Sequence, residues 1–276
     1  MHLVTRGSGY PVLFLHGIPT SSILWNGVIA GLSSEFQCIA VDLPGLGKSV
    51  NTPPAFRNLA ALAASIEAIR MEHRIEKWHV VGHDAGCAIS VHYAHHFPHR
   101  VGRLALLSPS IFPELKPFYL FELLRKPAIG ELLAPVVNLL FWNVAMRLAM
   151  AGVPNRHEMV QNLHAPFRGW RGSWRLMSVL RWGHPSEVLA SIPSLLPGIL
   201  APTLVVHGSK DPAVPEAFAC RTRDLMPHSE LLLLNSGHFL PITEPAAVAK
   251  ALARFFGDAG VPAVASVDLA AAFATR

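Results

Sequence analysis

The sequence predicts an α/β domain: a mostly parallel central sheet with helices on both faces and one inserted helical segment. Three observations carry this. Short β-branched and aliphatic runs alternate with segments of helical character up to about residue 110. That alternation stops between Ile111 and Pro197, where the chain reads as helical, apolar and rich in Trp, Arg and Pro, and then resumes. The strand-length runs read as buried strands, as in a parallel sheet covered on both faces. Residues 1–110 and 198–276 are therefore assigned to one core domain. Residues 111–197 are assigned to a helical cap above the carboxyl ends of the strands, where open α/β sheets place their sites.

The strands and helices run in this order. Val12-Leu13-Phe14-Leu15 is a short buried strand that ends in His16-Gly17-Ile18-Pro19-Thr20-Ser21-Ser22. Ser21 or Ser22 is placed to cap a helix running through Trp25 to Leu32. Cys38 to Asp42 is the next strand, followed by the turn Leu43-Pro44-Gly45-Leu46-Gly47-Lys48-Ser49. Gly47-Lys48-Ser49 looks like the end of a phosphate-binding loop, but the first glycine of that motif is missing, so nucleotide binding is not expected. Asn58 to Arg74 is an Ala-rich helix, Trp78 to Val81 a strand, and Leu104 to Leu107 another, ending at Ser108-Pro109. Beyond the proline-punctuated stretch from Ile192 to Pro202, Thr203 to Gly208 and Glu230 to Leu234 complete the strands, and Pro245 to Phe256 is the closing helix. For the Ala/Val-rich tail after Gly257, fraying and a short docked helix both fit.

Composition narrows the classes. The chain has 276 residues, 51% of them hydrophobic and 15% charged, which excludes disorder and predicts a large core with some apolar surface. The net charge is +5, but the basic residues form no dense Lys/Arg block and accompany no nucleic-acid motif, so no nucleic-acid partner is expected. Cys38, Cys87 and Cys220 are far apart and match neither a disulfide framework nor zinc spacing. With no signal peptide in Met1-His2-Leu3-Val4-Thr5-Arg6, a reducing, cytoplasmic location is expected. The apolar stretch Leu115 to Met150 is interrupted by Glu131, Pro135, Asn138 and Arg147, which argues against a membrane span. It fits a pocket wall for a lipophilic small molecule, with peripheral membrane contact as the other reading. His92 and His96 stand four apart on a helix without a nearby carboxylate, and no metal or cofactor is expected.

The chemistry centres on Val80-Val81-Gly82-His83-Asp84-Ala85-Gly86, a strand, a tight turn and a small-residue helix. Asp84 at the tip is an anionic nucleophile that needs no base to activate it. Attack on an electrophilic carbon leaves an aspartyl ester, which water must hydrolyse. That step needs a base, and His238 in Ser236-Gly237-His238-Phe239 is assigned to it, with Asp211 in Ser209-Lys210-Asp211-Pro212 as the carboxylate that holds it. Both lie just past strand ends. The backbone N–H groups of Ala85 and Ile18 are assigned to the oxyanion. For Asp211 and His238 the plainer readings are a turn-capping Asp and a surface His.

These motifs resemble the α/β-hydrolase superfamily in its Asp-nucleophile branch, which contains haloalkane dehalogenases, haloacetate dehalogenases and epoxide hydrolases. His16-Gly17-Ile18-Pro19 with Leu24-Trp25, and Asp42-Leu43-Pro44-Gly45, are most similar to haloalkane dehalogenases. The resemblance implies an α/β-hydrolase fold and a covalent ester. It also exposes departures. The dehalogenases hold the leaving halide with a Trp directly after the nucleophile, here Ala85, and often an Asn between Gly and Pro, here Ile18. Haloacetate dehalogenases carry arginines just after the nucleophile, where Cys87 and Ala88 stand. Epoxide hydrolases protonate the opening oxygen with two cap tyrosines, and this cap contains only Tyr119.

The cap instead offers His157, His164 and His184 as proton donors and Trp142, Trp170, Trp174 and Trp182 as pocket walls or N–H donors. Surface histidines and core tryptophans are the plainer readings. His83 and Phe239, beside the catalytic residues, are also assigned to the pocket. Arg168, Arg171 and Arg175 recur at helical spacing, as a solvated face or an anion-binding one. The expected activity is a hydrolase acting on a lipophilic molecule, with epoxide opening first and carbon–halogen hydrolysis second. A repurposed enzyme of the same fold, catalysing cyclisation, decarboxylation or rearrangement, is the third reading.

Overall fold

The computed structural model describes residues 1–51, 58–117, 119–151 and 153–257. The tail after Gly257 lies outside the described residues. Among the described residues seven strands form one sheet in the order β1-β3-β2-β4-β5-β6-β7. They are β1 (Leu3–Arg6), β2 (Tyr10–Leu15), β3 (Phe36–Val41), β4 (Trp78–His83), β5 (Val101–Leu107), β6 (Thr203–Gly208) and β7 (Ser229–Leu234). Only β1 is antiparallel to its neighbour, pairing Leu3 with Val41 and Arg6 with Cys38. The other pairs are parallel.

Every residue of β4 and of β6 is buried, as expected of central strands covered on both faces. On the core, α1 (Asn26–Leu32) packs against the C-terminal helix of residues Pro245–Gly257. The helix α2 (Leu59–Glu72) packs on α3 (Ala85–His96), which follows β4 directly. Asn58 caps α2, its side chain accepting from the Ala61 N–H at 2.6 Å. Ser21 stands at the corresponding position before the turn Ser22–Trp25, but its side chain makes no capping bond. The helix Asn26–Leu32 has Trp25 at its N-cap and no side-chain capping bond, so the expected Ser21 or Ser22 cap is corrected; the Ser22 N–H is held by Asp42 Oδ1 at 2.7 Å.

Asp42, just past β3, also accepts from the Lys48 N–H at 2.9 Å and from His2 Nδ1 at 3.0 Å. Gly47 lies at φ +51°, and a Cβ there would meet the Asp42 carboxylate. The Gly47-Lys48-Ser49 turn is therefore wrapped around a carboxylate of the chain itself.

Between β5 and β6 run α4 (Tyr119–Arg125), α5 (Ile129–Leu140), a π-helical turn (Phe141–Ala145), α6 (Met146–Ala149), α7 (Arg156–His164), α8 (Gly169–Leu180), α9 (Pro185–Val188) and α10 (Ile192–Leu195). α5 packs against α4 and α8. Buried Asn138 on α5 donates to Phe167 O at 2.7 Å and to Ser173 Oγ at 3.0 Å. Arg181 bridges to Glu131 at 2.6 Å and donates to Leu124 O at 3.0 Å. After β6, the described residues form α11 (Glu216–Leu225), α12 (Leu240–Thr243) and α13 (Pro245–Gly257).

Candidate active site

β4 delivers Asp84 to the carboxyl edge of the sheet at φ 51°, ψ −122°, a conformation L-residues adopt only under local constraint. The constraint is close packing. A Cβ on Gly86 would strike the backbone of Leu15 and His16, and one on Gly17 would strike the Asp84 side chain. Small residues at these positions let the helix, the strand and the neighbouring loop converge on one carboxylate.

Both oxygens of that carboxylate are held. Oδ2 accepts from the Ile18 N–H at 3.0 Å. Oδ1 accepts from Ser110 Oγ at 2.5 Å. Ser108 turns the chain at the end of β5 with φ 45°, and Ser110 follows two residues on. His238 Nε2 lies 3.9 Å from Asp84 Oδ1. His238 Nδ1 lies 2.8 Å from Asp211 Oδ2. Because the carboxylate can only accept, Nδ1 carries a proton; in the neutral ring the lone pair is then on Nε2, the nitrogen that faces Asp84.

Asp211 Oδ1 is occupied by the N–H groups of Ala213 at 2.8 Å and Val214 at 3.0 Å. Burial alone would raise the Asp211 carboxyl, but the bond and charge of His238 and these two N–H groups outweigh it and hold it at about 2. Burial alone would lower His238, and the Asp211 hydrogen bond together with the Asp211 and Asp84 charges outweighs that and raises it. His83, beneath, donates from Nε2 to His238 O at 2.9 Å. Burial and the neighbouring His238 push His83 down to about 4, so it is neutral at neutral pH.

Asp84 opens onto a cavity of about 770 Å³ between the strand ends and the inserted helices. Its wall is mostly apolar, with Phe121, Phe141, Met146, Val179, Leu180 and Leu189 from the insertion. Side chains with N–H or O–H groups in the lining are Asn58, Ser110, Lys116, Arg125, Trp182, Lys210 and His238. Ile18, Ala85 and Phe239 also line it, so these three stand with Asp84 and His238 at one place.

The remaining pocket assignments are corrected. His83 is 1% exposed and packs under His238, with ring centroids 4.9 Å apart, instead of facing the cavity. Tyr119 is 72% exposed and points away from the lining. Trp142 is fully buried inside the insertion, stacked on His164 and Phe167 at 5.3 and 5.7 Å. That stack takes both Trp142 and His164 out of the pocket. His157 is exposed and bonds to Arg147 and Gln161. Trp170 is exposed, and its ring lies 5.9 Å from the half-buried Trp174, also outside the lining. Of the four tryptophans weighed for the wall, Trp182 is the one that reaches it. The sequence reading did not single out Ser110, whose only signal was its place two residues past a strand end.

His92 and His96 stack at 4.1 Å, and no group of three or more metal-ligating side chains is found among the described residues.

Comparison with known proteins places the scaffold. The profile of the alpha/beta hydrolase fold family matches residues 10–245. The chain belongs to the α/β-hydrolase fold family. This α/β-hydrolase is 26% identical to a cis-3-alkyl-4-alkyloxetan-2-one decarboxylase of Shewanella oneidensis, over 87% of this chain and 80% of that one. It is 37% identical to a soluble epoxide hydrolase of a Corynebacterium species, over 39% of this chain and 37% of that one. The fold of the α/β-hydrolase also matches the crystal structure of a haloalkane dehalogenase from Bradyrhizobium elkani. The TM-score is 0.77 at 24% identity, covering 92% of this chain and 93% of that one. The fold and the relatives together make the protein a hydrolase-family enzyme.

Proposed function

We propose that this α/β-hydrolase opens a strained carbon–oxygen ring on a lipophilic substrate through an ester on Asp84. The observation that carries the reading is the pair of differently held oxygens on Asp84 at the floor of an apolar cavity. Oδ1 faces His238, and Oδ2 sits against the Ile18 N–H. Oδ1 attacks a ring carbon, the carbon–oxygen bond breaks, and the ring oxygen takes a proton from solvent or a lining donor. Oδ1 is then an ester oxygen and a poor acceptor, which frees the Ser110 hydroxyl to donate to the departing oxygen. In the second half His238 takes a proton from water and the hydroxide adds to Asp84 Cγ. The charge on Oδ2 is met by the Ile18 N–H and the N-terminus of α3 at Ala85. Collapse breaks the Cγ–Oδ1 bond. The alkoxide takes the His238 proton, giving a diol, and the Asp84 carboxyl, now holding one oxygen from water, releases its proton to solvent and is a carboxylate again.

Ring strain is the reason to favour this class. The site has no indole at residue 85 and no amide side chain at residue 18, and the cap His and Tyr groups expected to donate lie off the cavity. A substrate whose leaving group departs under ring strain asks least of such donors. The inserted helices act as the cap in this reading, and the three free cysteines support a reducing, cytoplasmic setting. A second reading, decarboxylative opening of an alkyl-substituted oxetan-2-one, is favoured by the Shewanella relative, which aligns over most of the chain.

Intact-mass measurement of a His238→Ala variant, incubated with long-chain terminal epoxides, dialkyl oxetan-2-ones and bromoalkanes, tests the reading. With an epoxide, a mass increase equal to the whole substrate is expected, since nothing is lost on ring opening. An Asp84→Asn variant should show none. Halide release without epoxide adducts, or alkene and carbon dioxide from the lactone alone, would replace the epoxide reading. No adduct with any of the three would refute the ester.

A further inference from the structure

The structure carries an apolar surface that the proposed chemistry does not use. Ile129–Ala149 is one helical run of 21 residues, and only 28% of its most apolar stretch is buried. One side packs inward through Gly130, Ala134, Val137, Asn138, Phe141 and Trp142. The other side presents Ile129, Leu132, Val136, Leu139, Val144 and Leu148 to solvent, with Leu132 at 78% and Leu148 at 70% exposure. At 21 residues the run is long and apolar enough to cross a bilayer. Its inward side is committed to α4 and α8, and Asn138 is bonded there, so the run can offer lipid one side only and must lie flat.

Charge indicates what covers it. The inserted segment, residues 111–197, holds nine Lys and Arg against five Glu and no Asp, and so carries most of the chain's net charge of +5. The one carboxylate on the run, Glu131, is turned to Arg181 and paired. Exposed Lys126 stands just before the run, and half-buried Arg147 and exposed Arg156 stand at and beyond its other end. An apolar stripe between cationic ends fits an anionic lipid surface. The stripe also leads inward. A shallow apolar groove is lined by Leu120, Leu140, Phe141, Val144, Ala145 and Leu148. Phe141, Ala145 and Leu148 line the main cavity as well.

We propose that the outward face of Ile129–Ala149 seats this enzyme on an anionic bilayer surface, with the groove beside Phe141 as the route between lipid and cavity. The seating stands without the ring-opening reading. The route rests on that reading's lipophilic substrate.

Flotation of the full chain with phosphatidylcholine vesicles, with and without about one-third phosphatidylglycerol, tests the seating. Binding to the anionic vesicles is expected, weakening in high salt. Leu132→Glu with Leu139→Glu should lower the partition coefficient at least about tenfold. Neither residue lines the cavity, and an unchanged unfolding midpoint shows that the variant is folded. A milder Leu132→Ser with Leu139→Ser pair serves if the charged pair fails that control. Equal binding of wild type and folded variant, or no binding to anionic vesicles, overturns the proposal. So does a concentration-dependent dimer by light scattering that the substitutions dissolve, because a second copy would then cover the face. These readouts do not depend on turnover, so loss of the ring-opening reading leaves the seating result intact. The route is tested separately: turnover of a long-chain epoxide should rise on adding anionic vesicles, and the rise should vanish in the variant. If turnover of a short, water-soluble epoxide rises equally, the route is refuted.

Discussion

Replacing Asp211 by Asn tests how the imidazole is held, and its effect can be worked from the contacts at this carboxylate. Oδ1 of Asp211 accepts from the Ala213 and Val214 N–H groups, and Oδ2 meets His238 Nδ1 at 2.8 Å. In the variant the two backbone donors claim the amide oxygen. The amide N–H₂ then faces Nδ1, which must become an acceptor. The proton moves to Nε2, on the side of Asp84, and the lone pair that would take a proton from water is gone. The plateau of kcat/KM should fall about 10²- to 10⁴-fold. Loss of the carboxylate also removes a charge-assisted bond worth about 1.5–3 kcal/mol to the charged imidazole. Without that bond and charge the His238 pKa falls. In the proposed mechanism the acidic limb is set by protonation of His238, which Asp211 raises, so in the variant that limb should move to lower pH. A pH–rate profile of both proteins on an epoxide substrate measures plateau and limb together. A plateau within about threefold of wild type, or a limb that stays in place, would refute the arrangement.

Other outcomes are expected from the same contacts. The Asp211 carboxyl is depressed from 3.8 to about 2, so its stabilisation is present above pH 4 and lost as pH falls toward 2. A stability–pH curve should show about 2 kcal/mol disappearing across that window, and much less in Asp211→Asn. Gly17→Ala should abolish turnover and destabilise by about 1–3 kcal/mol in denaturant unfolding, since the new methyl falls on Asp84. Trp142→Ala should cost about 3–5 kcal/mol in the same assay, because it empties a fully buried aromatic stack. Tyr119→Phe should leave kcat/KM within about twofold, whereas a drop of tenfold or more would return that hydroxyl to the reaction.

The strands and the tight turn at Asp84 were legible because buried parallel strands are apolar throughout and close approach demands glycine. The relation of Asp211 to His238 was legible because both stand a few residues past strand ends, and parallel strands bring such ends to one edge. β1 is not legible, since Leu3 and Val4 are half-buried, Thr5 and Arg6 are exposed, and four such residues carry little hydrophobic signal. α11 is not legible either, because it is a polar helix between strands. The inserted helices misled the assignment of the cavity wall. Where both sides of a helix are apolar, periodicity does not say which side meets substrate, and the π-helical turn at Phe141–Ala145 rotates the helical face beyond it. Trp142 lies in the interior while Phe141 beside it lines the cavity. Ser110 carries no such signal: it follows Ser108, whose φ of 45° turns the chain after β5, and no residue type announces that turn.

The carboxylate of Asp42 gathers the N-terminal segment at His2, the loop at Ser22 and the turn at Lys48. His16 Nε2 adds the Leu43 N–H to the same knot at 3.0 Å. All of these partners belong to the core, and none comes from the segment between β5 and β6. The loop that aims the Ile18 N–H is thus moored independently of whatever roofs the chamber. Libraries that vary the roof can retune which molecules enter while this mooring stays untouched, and a library at Asp42 should scramble the loop itself.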